Sequence, residues 1–187
     1  ERELGLKALV ESTDAERTRV TSELHDGVGQ LLTGLKYRVE AAAAARPELK
    51  EVMVLAADAS GEGRDMAHRM MPRALGDLGL IPALTDMLDR SLKLPGMHHV
   101  FEHYGLDQRL PPSVEVGVYR IAQELVNNIL KHARAQNVQV QLLGNKGHLV
   151  LIVEDDGAGI DRSSAYQGLG MRSMMDRARV LHGTLDL

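Results

Sequence analysis

The sequence contains no cysteine and no tryptophan, and its only aromatic side chains are one phenylalanine and four tyrosines. Without cysteine, the chain has no disulfide, no thiolate metal site and no cysteine nucleophile. With so few rings, a core must be built from Leu, Val, Ile, Ala and the nine Met residues. That composition favours helix packing over a β-sandwich, because strands prefer aromatic and β-branched residues.

The chain also lacks a strong excess of charge of either sign. Its formal net charge is −4 and its pI is near 6.1, so no basic field attracts nucleic acid or anionic lipid. No apolar run approaches the roughly 20 residues that cross a bilayer, and no signal peptide is visible in these 187 residues. We therefore expect no nucleic-acid partner and a cytoplasmic location for this part of the protein.

The first residue is Glu1 rather than Met, and 187 residues suffice for one or two domains. We expect the chain to be a piece of a longer protein, with an input region upstream. The sequence leaves open whether the full-length protein is anchored in a membrane.

Two helices are predicted in the first part of the chain. Residues 1–45 contain no proline and carry apolar side chains at steps of three or four, and Arg46-Pro47 ends this pattern. Residues 49–70 repeat it. A single helical hairpin cannot enclose a core, so we expect two copies to pair as a four-helix bundle. The alternative is a hairpin that docks on the rest of its own chain.

Beyond Met71-Pro72 the pattern changes to an α+β domain. The predicted division is a hairpin at 1–71, a linker at 72–79 and a second domain at 80–187 that lacks its final strands. The predicted elements of the second domain are a helix at 81–92, a strand at 98–104, a helix from Pro111-Pro112 to His132, strands at 138–143 and 149–153 joined by a Gly144–Gly147 turn, a helix at 170–181 and a last strand from Gly183.

The first helix carries a cluster of reactive side chains, His25, Asp26 and Gln30. A carboxylate beside an imidazole can accept its proton and leave the other ring nitrogen free as a nucleophile. The Gln30 amide could position a water molecule. Gly27 and Gly29 cost ~1 kcal/mol each in a helix, which indicates close approach by a partner. The alternative is an ordinary solvated helix face.

A second polar cluster lies on the helix that ends near His132. Glu124, Asn128, Lys131 and His132 lie on one polar face at helical spacing. Carboxylate and amide oxygens suit a hydrated Mg²⁺ whose shell is completed by phosphate, and Lys131 and His132 can meet the phosphate charge. An exposed helix face with mixed charges is the alternative.

A third cluster consists of two glycine turns after a strand, Asp155-Asp156-Gly157-Ala158-Gly159 and Gly168-Leu169-Gly170. The second turn opens a helix, where free backbone N–H groups and the helix dipole can hold phosphate. A single Gly-x-Gly is weak evidence, but two of them around a short stretch are stronger.

In this order, the three clusters closely resemble those of bacterial two-component sensor histidine kinases. The resemblance is to the subfamily with His-Asp-x-x-x-Gln in its dimerisation helix, related to nitrate and membrane-fluidity sensors, and the stretch Pro72–Leu84 also resembles it. The implied fold is a dimeric four-helix bundle followed by a Bergerat-type (GHKL) α/β sandwich that binds ATP. The implied partners are a second copy, the receiver domain of a response regulator and an upstream sensor domain.

The resemblance also implies roles for the candidate residues. In the hairpin, His25 would be the phosphoacceptor, Asp26 its activating base and Gln30 the residue that orients water for dephosphorylation of the regulator. In the second domain, Asn128 and Glu124 would hold Mg²⁺, and Lys131 and His132 would approach the phosphates of ATP. The remaining implied contacts are Asp155 with the adenine amino group, Gly157 and Gly159 with the base, and Gly168 and Gly170 at the base of the nucleotide lid.

Two features depart from the family pattern. Asn127 stands where a small hydroxyl residue is more common, so the metal ligand could shift by one position, although its spacing from Glu124 favours Asn128. The stretch 161–167 is short for a lid. The alternative functions are another GHKL-type ATPase, or a non-enzymatic dimeric signalling module with a degenerate nucleotide site. The hairpin with His25 disfavours the first, and the complete set of polar residues disfavours the second.

Overall fold

The computed structural model describes residues 2–70, 73–145, 147–159 and 168–187. Two compact units divide the chain: one is Glu11–Arg73, and the other combines Glu1–Val10 with Ala74–Leu187. No helix in the described ranges has the length and apolar composition that a membrane crossing requires.

Residues 2–70 form a helical hairpin whose first arm contains π-helical turns. The elements are α1 (Arg2–Glu23), the first π segment (Leu24–Gly29), α2 (Gln30–Ala45), a 3-10 turn (Pro47–Leu49) and α3 (Lys50–Met70). Arg46 is extended, with φ −139° and ψ 93°, because the ring of the following proline disfavours the α conformation. The predicted hairpin and its turn are confirmed, whereas the π segment was not predicted.

Small side chains let the two arms of the hairpin approach each other. Ala43, Ala56 and Ser60 are buried, and a Cβ at Gly63 would lie only 2.9 Å from Cδ1 of Leu32. Several large apolar side chains remain 47–75% exposed: Val28, Leu31, Leu35, Val52, Val54 and Leu55. Within the hairpin, the other arm therefore leaves apolar surface uncovered.

The second unit contains a three-stranded sheet covered by helices. Its elements are α4 (Arg73–Asp77), α5 (Leu80–Leu92), β1 (His98–Tyr104), α6 (Pro112–Asn128), the second π segment (Ile129–Ala133), β2 (Asn137–Asn145), β3 (His148–Asp155) and α7 (Leu169–Val180). The strand order is β1-β2-β3; β1 is parallel to β2, and β2 is antiparallel to β3. The predicted helices and the hairpin of β2 and β3 are confirmed, with strands slightly longer than expected.

One face of this sheet forms the core. Val138, Val140 and Leu142 alternate along β2 and are at most 2% exposed, and their neighbours in the register share that face. The helices contribute further buried side chains, among them Leu84, Leu88, Ala122, Val126, Met171 and Met174. Each fully buried Leu contributes about 1.5–3 kcal/mol. Among the described aromatic side chains, Tyr119 is the one buried in this core, and its burial raises the pKa of the phenol to about 12.

The predicted strand from Gly183 is wrong, because Gly183 terminates α7 instead. His182 adopts a left-handed conformation, with φ 57°. The N–H of His182 donates to the carbonyl of Arg179 at 2.9 Å, and that of Gly183 donates to the carbonyl of Ala178 at 2.8 Å. This is the Schellman arrangement that closes helix ends. Residues 183–187 have no regular secondary structure.

An ion pair between half-exposed Arg109 and buried Glu115 holds the end of α4. Arg109 donates to both carboxylate oxygens of Glu115 at 2.9 and 2.8 Å, and to the carbonyls of Leu75 and Gly76 at 3.1 and 3.2 Å. The Glu115 side chain is 4% exposed and that of Arg109 is 50% exposed. Gly79, with φ +96°, packs against the same guanidinium. The described part of the predicted linker, 73–79, is therefore attached to the second unit by Arg109; Pro72 lies outside the described residues.

Replacing Arg109 should destabilise the second unit, because Glu115 then stays buried without its partner. We expect Arg109→Met to lower the melting temperature clearly, and Arg109→Met/Glu115→Leu to recover part of the loss. Arg90→Met is the control, since Arg90 pairs with Asp86 at 2.8 Å on the surface. Thermal unfolding followed by circular dichroism measures all three. Equal effects of Arg109→Met and Arg90→Met would contradict this prediction.

Candidate nucleotide and phosphotransfer sites

The polar cluster of the long helix spans a change in helix type. Glu124 and Asn128 lie four residues apart in α6 and are half-buried, whereas Lys131 and His132 are exposed in the second π segment. The π segment ends at Arg134, which is left-handed with φ 54°. A π-helix has wider turns than an α-helix. The predicted common face therefore holds for Glu124 and Asn128, but Lys131 and His132 do not follow the same angular spacing.

Asp155 lies on the helix-covered side of the sheet, at the end of β3. It pairs in register with Val138, whose side chain is in the core, while its neighbour Glu154 pairs with the exposed Gln139. The Asp155 carboxylate is exposed at the strand end, where its Oδ1 accepts a hydrogen bond from the N–H of Gly157 at 2.9 Å. The Asp155 carboxylate therefore lies at the end of β3, on the side of the sheet where the helices can form a pocket with it.

The first glycine turn packs on the end of the second π segment. The N–H of Ala158 donates to the carbonyl of Ala133 at 2.8 Å. A Cβ at Gly157 would overlap that carbonyl and lie 2.7 Å from the Cβ of Ala133. Gly159 adopts a left-handed conformation, with φ +72°, which glycine adopts without steric cost. Both glycines are thus required by the backbone itself.

The second glycine turn brings the start of α7 against α6. A Cβ at Gly170 would overlap Oε1 of Glu124 and lie 3.1 Å from its Cδ. Gly168 precedes α7 in an extended conformation, with φ −68° and ψ 145°. The first N–H groups of a helix have no partner within the helix and can bind phosphate. The predicted lid, 161–167, lies outside the described residues.

Asp156 was part of the predicted motif but was given no role, and it has several hydrogen bonds. Its Oδ1 accepts from the N–H groups of Gln136 and Asn137 at 2.7 and 2.8 Å, and its Oδ2 accepts from the amide of Asn137 at 2.7 Å. The bonds from Asn137, and then that from Gln136, lower the pKa of Asp156. The sequence signal was weak: a carboxylate after one strand and an Asn at the start of another.

The hairpin residues lie where α-helix changes to π-helix. His25 and Asp26 are within the first π segment, and Gln30 begins α2. Asp26 and Gln30 are exposed; the His25 side chain lies outside the described residues. A Cβ at Gly27 would meet no atom within 4 Å, so this surface is open. Because π-helical turns are rare and occur frequently at functional sites, the segment itself is a functional signal that helical periodicity did not predict.

The oxygen donors of α6 fit a magnesium ion that arrives with a nucleotide. Among the described side chains, no group of three or more His, Cys, Asp or Glu residues could hold a metal by itself. Mg²⁺ keeps several waters and commonly takes only one or two protein ligands plus substrate phosphates. Glu124 and Asn128, one turn apart in α6, offer a carboxylate and an amide oxygen of that kind.

Comparison with known families assigns both units. Residues 16–75 match the family described as "Histidine kinase", and residues 113–187 match the "Histidine kinase-, DNA gyrase B-, and HSP90-like ATPase" family. The chain belongs to the sensor histidine kinases. The resemblance inferred from the three clusters is confirmed. Residues 113–187, which match the second family, belong to an ATP-binding domain.

Several curated histidine kinases are similar along nearly the whole chain. The histidine-protein kinase/phosphatase DegS of Brevibacillus brevis is 28% identical, covering 95% of this chain and 48% of that protein. The sensor histidine kinase MctS of Rhizobium johnstonii is 32% identical, with 96% and 42% covered. The histidine-protein kinase/phosphatase UhpB of Salmonella typhimurium is 32% identical, with 96% and 37% covered. The chain thus spans about half or less of these relatives.

A solved histidine kinase domain shares the fold. The domain from the blue-light activated histidine kinase EL346 of Erythrobacter litoralis superposes with a TM-score of 0.50 at 15% identity, covering 86% of this kinase chain and 84% of that one. The predicted fold class, a helical hairpin region followed by a GHKL-type α/β domain, is confirmed.

Replacing Gly170 tests the contact between α7 and α6. In Gly170→Ala the new methyl group overlaps the Glu124 carboxylate and must displace it. We expect the Kd for Mg-ATP to rise about tenfold, equivalent to about 1.4 kcal/mol. Gly183→Ala is the control, because its Cβ would lie 3.5 Å from the nearest atom, an ordinary contact. Isothermal titration calorimetry measures both variants, and equal affinities would contradict the prediction.

Proposed function

We propose that this chain is the catalytic core of a sensor histidine kinase: it phosphorylates His25 with ATP, passes the phosphoryl group to an Asp of a response regulator and dephosphorylates that regulator. The observation that carries the proposal is the combination, in one chain, of an exposed Asp26 and Gln30 beside His25 with an ATP-binding domain. Two relatives, DegS and UhpB, are named as histidine-protein kinase/phosphatases, which supports both activities.

Four parts of the second unit would bind ATP. Asp155, at the end of β3, would accept a hydrogen bond from the adenine amino group. The glycine turn, closely packed at Gly157 and open at Gly159, would let the base lie against backbone. The N–H groups at the start of α7, after Gly168 and including Gly170, would hold phosphate oxygens. Lys131 and His132 would add positive charge and hydrogen-bond donors near the phosphates.

Asn128 and Glu124 would hold a magnesium ion. Their side chains supply amide and carboxylate oxygens one helical turn apart, as argued above. When bound, the ion supplies neutralisation of the triphosphate charge, which phosphoryl transfer requires more than covalent help from the protein. The Glu124 carboxylate lies beside Gly170, on the side of α6 that faces α7.

The hairpin would supply the nucleophile. A ring nitrogen of His25 attacks the γ-phosphorus of ATP, the bond from phosphorus to the β,γ-bridging oxygen breaks, and ADP leaves. The proton on the other ring nitrogen passes toward Asp26, the adjacent carboxylate, which keeps the product phosphoimidazole neutral at that nitrogen. Both residues lie in the first π segment.

The phosphoryl group would then move to the regulator. A carboxylate oxygen of the receiver Asp attacks phosphorus, and the phosphorus–nitrogen bond to His25 breaks. When the chain acts as a phosphatase, the exposed amide of Gln30 would orient a water molecule that hydrolyses the acyl phosphate on the regulator. Gln30 begins α2 immediately after the π segment, close along the chain to His25.

The uncovered apolar side chains of the hairpin support a homodimer. Leu31 and Leu35 are four residues apart, and Val52 and Leu55 are three apart, so each pair lies on one side of its helix. All four are 48–75% exposed. Pairing with a second hairpin into a four-helix bundle would bury them.

We further propose that residues 1–71 and 80–187 move relative to each other through the 72–79 linker, so that ATP and the regulator reach His25 in turn.

Phosphorylation from γ-labelled ATP and Mg²⁺ tests the phosphoacceptor. We expect acid-labile, base-stable label on the wild-type chain and none on His25→Gln, because the nucleophilic nitrogen is gone. The control is His148→Gln, an exposed histidine at the start of β3. Label that persists in His25→Gln overturns the assignment. ATP hydrolysis without labelled protein would instead favour a GHKL-type ATPase.

Gln30→Ala tests the proposed phosphatase role separately. Autophosphorylation should stay near the wild-type rate, while dephosphorylation of a phosphorylated cognate regulator should slow about tenfold, because water is no longer oriented. Arg38→Ala, an exposed change on the same helix, is the control. Equal loss of both activities in Gln30→Ala would indicate that Gln30 is needed for the structure of the helix instead.

A further inference from the structure

The turn after β3 is hydrogen-bonded to the segment that leads from α6 into β2. Asp156 accepts from the N–H groups of Gln136 and Asn137 and from the Asn137 side chain, at 2.7–2.8 Å. In the opposite direction, the N–H of Asp156 donates to the carbonyl of Asn137 at 3.2 Å. Asp156 and Asn137 are therefore joined by backbone and side-chain bonds at once.

This junction lies between the two halves of the proposed ATP site. On one side, Asp155 directly precedes Asp156 and would recognise the base. On the other side, the segment continues back through Ala133 into the second π segment and then to Asn128. The contact of Ala158 with Ala133, at 2.8 Å, strengthens the same junction.

We propose that Asp156 is a positioning residue that fixes the separation between the base-recognising Asp155 and the phosphate- and metal-binding end of α6. The inference rests on the proposed function. ATP must contact both halves at once, and a fixed separation removes an entropic cost from the second contact. Both Asp156 oxygens are occupied by the protein, so Asp156 acts through its neighbours and not by touching ATP.

Removal of the carboxylate should affect a ligand that spans both halves more than one that reaches only the base side. For Asp156→Ala we expect the Kd for Mg-ATP to rise about tenfold and the Kd for adenosine about twofold. Competition against a fluorescent nucleotide measures both ligands on the full 187-residue chain. Equal weakening of ATP and adenosine, or no weakening of either, overturns the inference.

An exchange of the two partners distinguishes positioning from general loss of structure. Asn137→Asp opposes two carboxylates and should weaken ATP binding. In Asn137→Asp/Asp156→Asn, the new amide at position 156 can donate to the new carboxylate at 137 while its oxygen still accepts from the two backbone N–H groups. We expect the double variant to bind ATP within about threefold of the wild type. Failure of this recovery overturns the inference even if Asp156→Ala does not fold.

Glu154→Ala is the matched control. It removes a carboxylate two residues away in the chain, on the face of the sheet opposite to that of Asp155, where Glu154 pairs in register with exposed Gln139. Its affinity for ATP should equal that of the wild type; a tenfold loss there would mean that charge alone explains the effect. A wild-type chain that binds neither ATP nor adenosine would instead overturn the proposed nucleotide site, and this inference with it.

Discussion

The packing of α6 between the sheet and its neighbouring helices is the interaction on which the nucleotide domain depends. Its apolar side, with Ala122 and Val126 almost fully buried, fixes the rotation of the helix. That rotation leaves Glu124 and Asn128 half-buried on another side, where Glu124 lies beside Gly170 of α7. The end of the helix then continues into the turn on which Gly157 and Ala158 pack. A change in the depth or rotation of α6 would displace all the proposed ATP contacts together.

Close backbone approach is the second constraint, and glycine provides it. At Gly170 and at Gly157 a side chain would overlap Glu124 or the Ala133 carbonyl. These glycines bring three elements together at one edge of the sheet: α6, α7 and the end of β3. The two Gly-x-Gly motifs therefore also reflect a packing requirement between distant parts of the chain.

The proposed phosphoacceptor site and the proposed ATP site share an unusual local structure, a π-helical segment. The first π segment contains His25 and Asp26, and the second contains Lys131 and His132. A π-helical turn makes i→i+5 hydrogen bonds in place of i→i+4 bonds, so it re-aims side chains relative to the α-helix on either side. In the hairpin the π segment lies on the arm whose apolar side chains Val28, Leu31 and Leu35 are not covered by the other arm.

The sequence alone determined the local elements and the chemistry they carry. Proline at position 47, apolar side chains at helical or alternating spacing and glycine pairs act over a few residues. The hairpin, the helices, the three strands and the three candidate clusters could therefore be predicted.

Only the tertiary structure decided what depends on residues far apart in sequence: the ion pair of Arg109 with Glu115 that holds α4, the contact of Gly170 with Glu124 and the bonds of Asp156 to Asn137. It also decided between local alternatives of similar free energy, such as π over α turns and a helix cap at Gly183 in place of a strand. No periodicity in the chain encodes those choices: the cap, for example, depends on the left-handed conformation of His182 and on the bonds from the N–H groups of His182 and Gly183 to the end of α7.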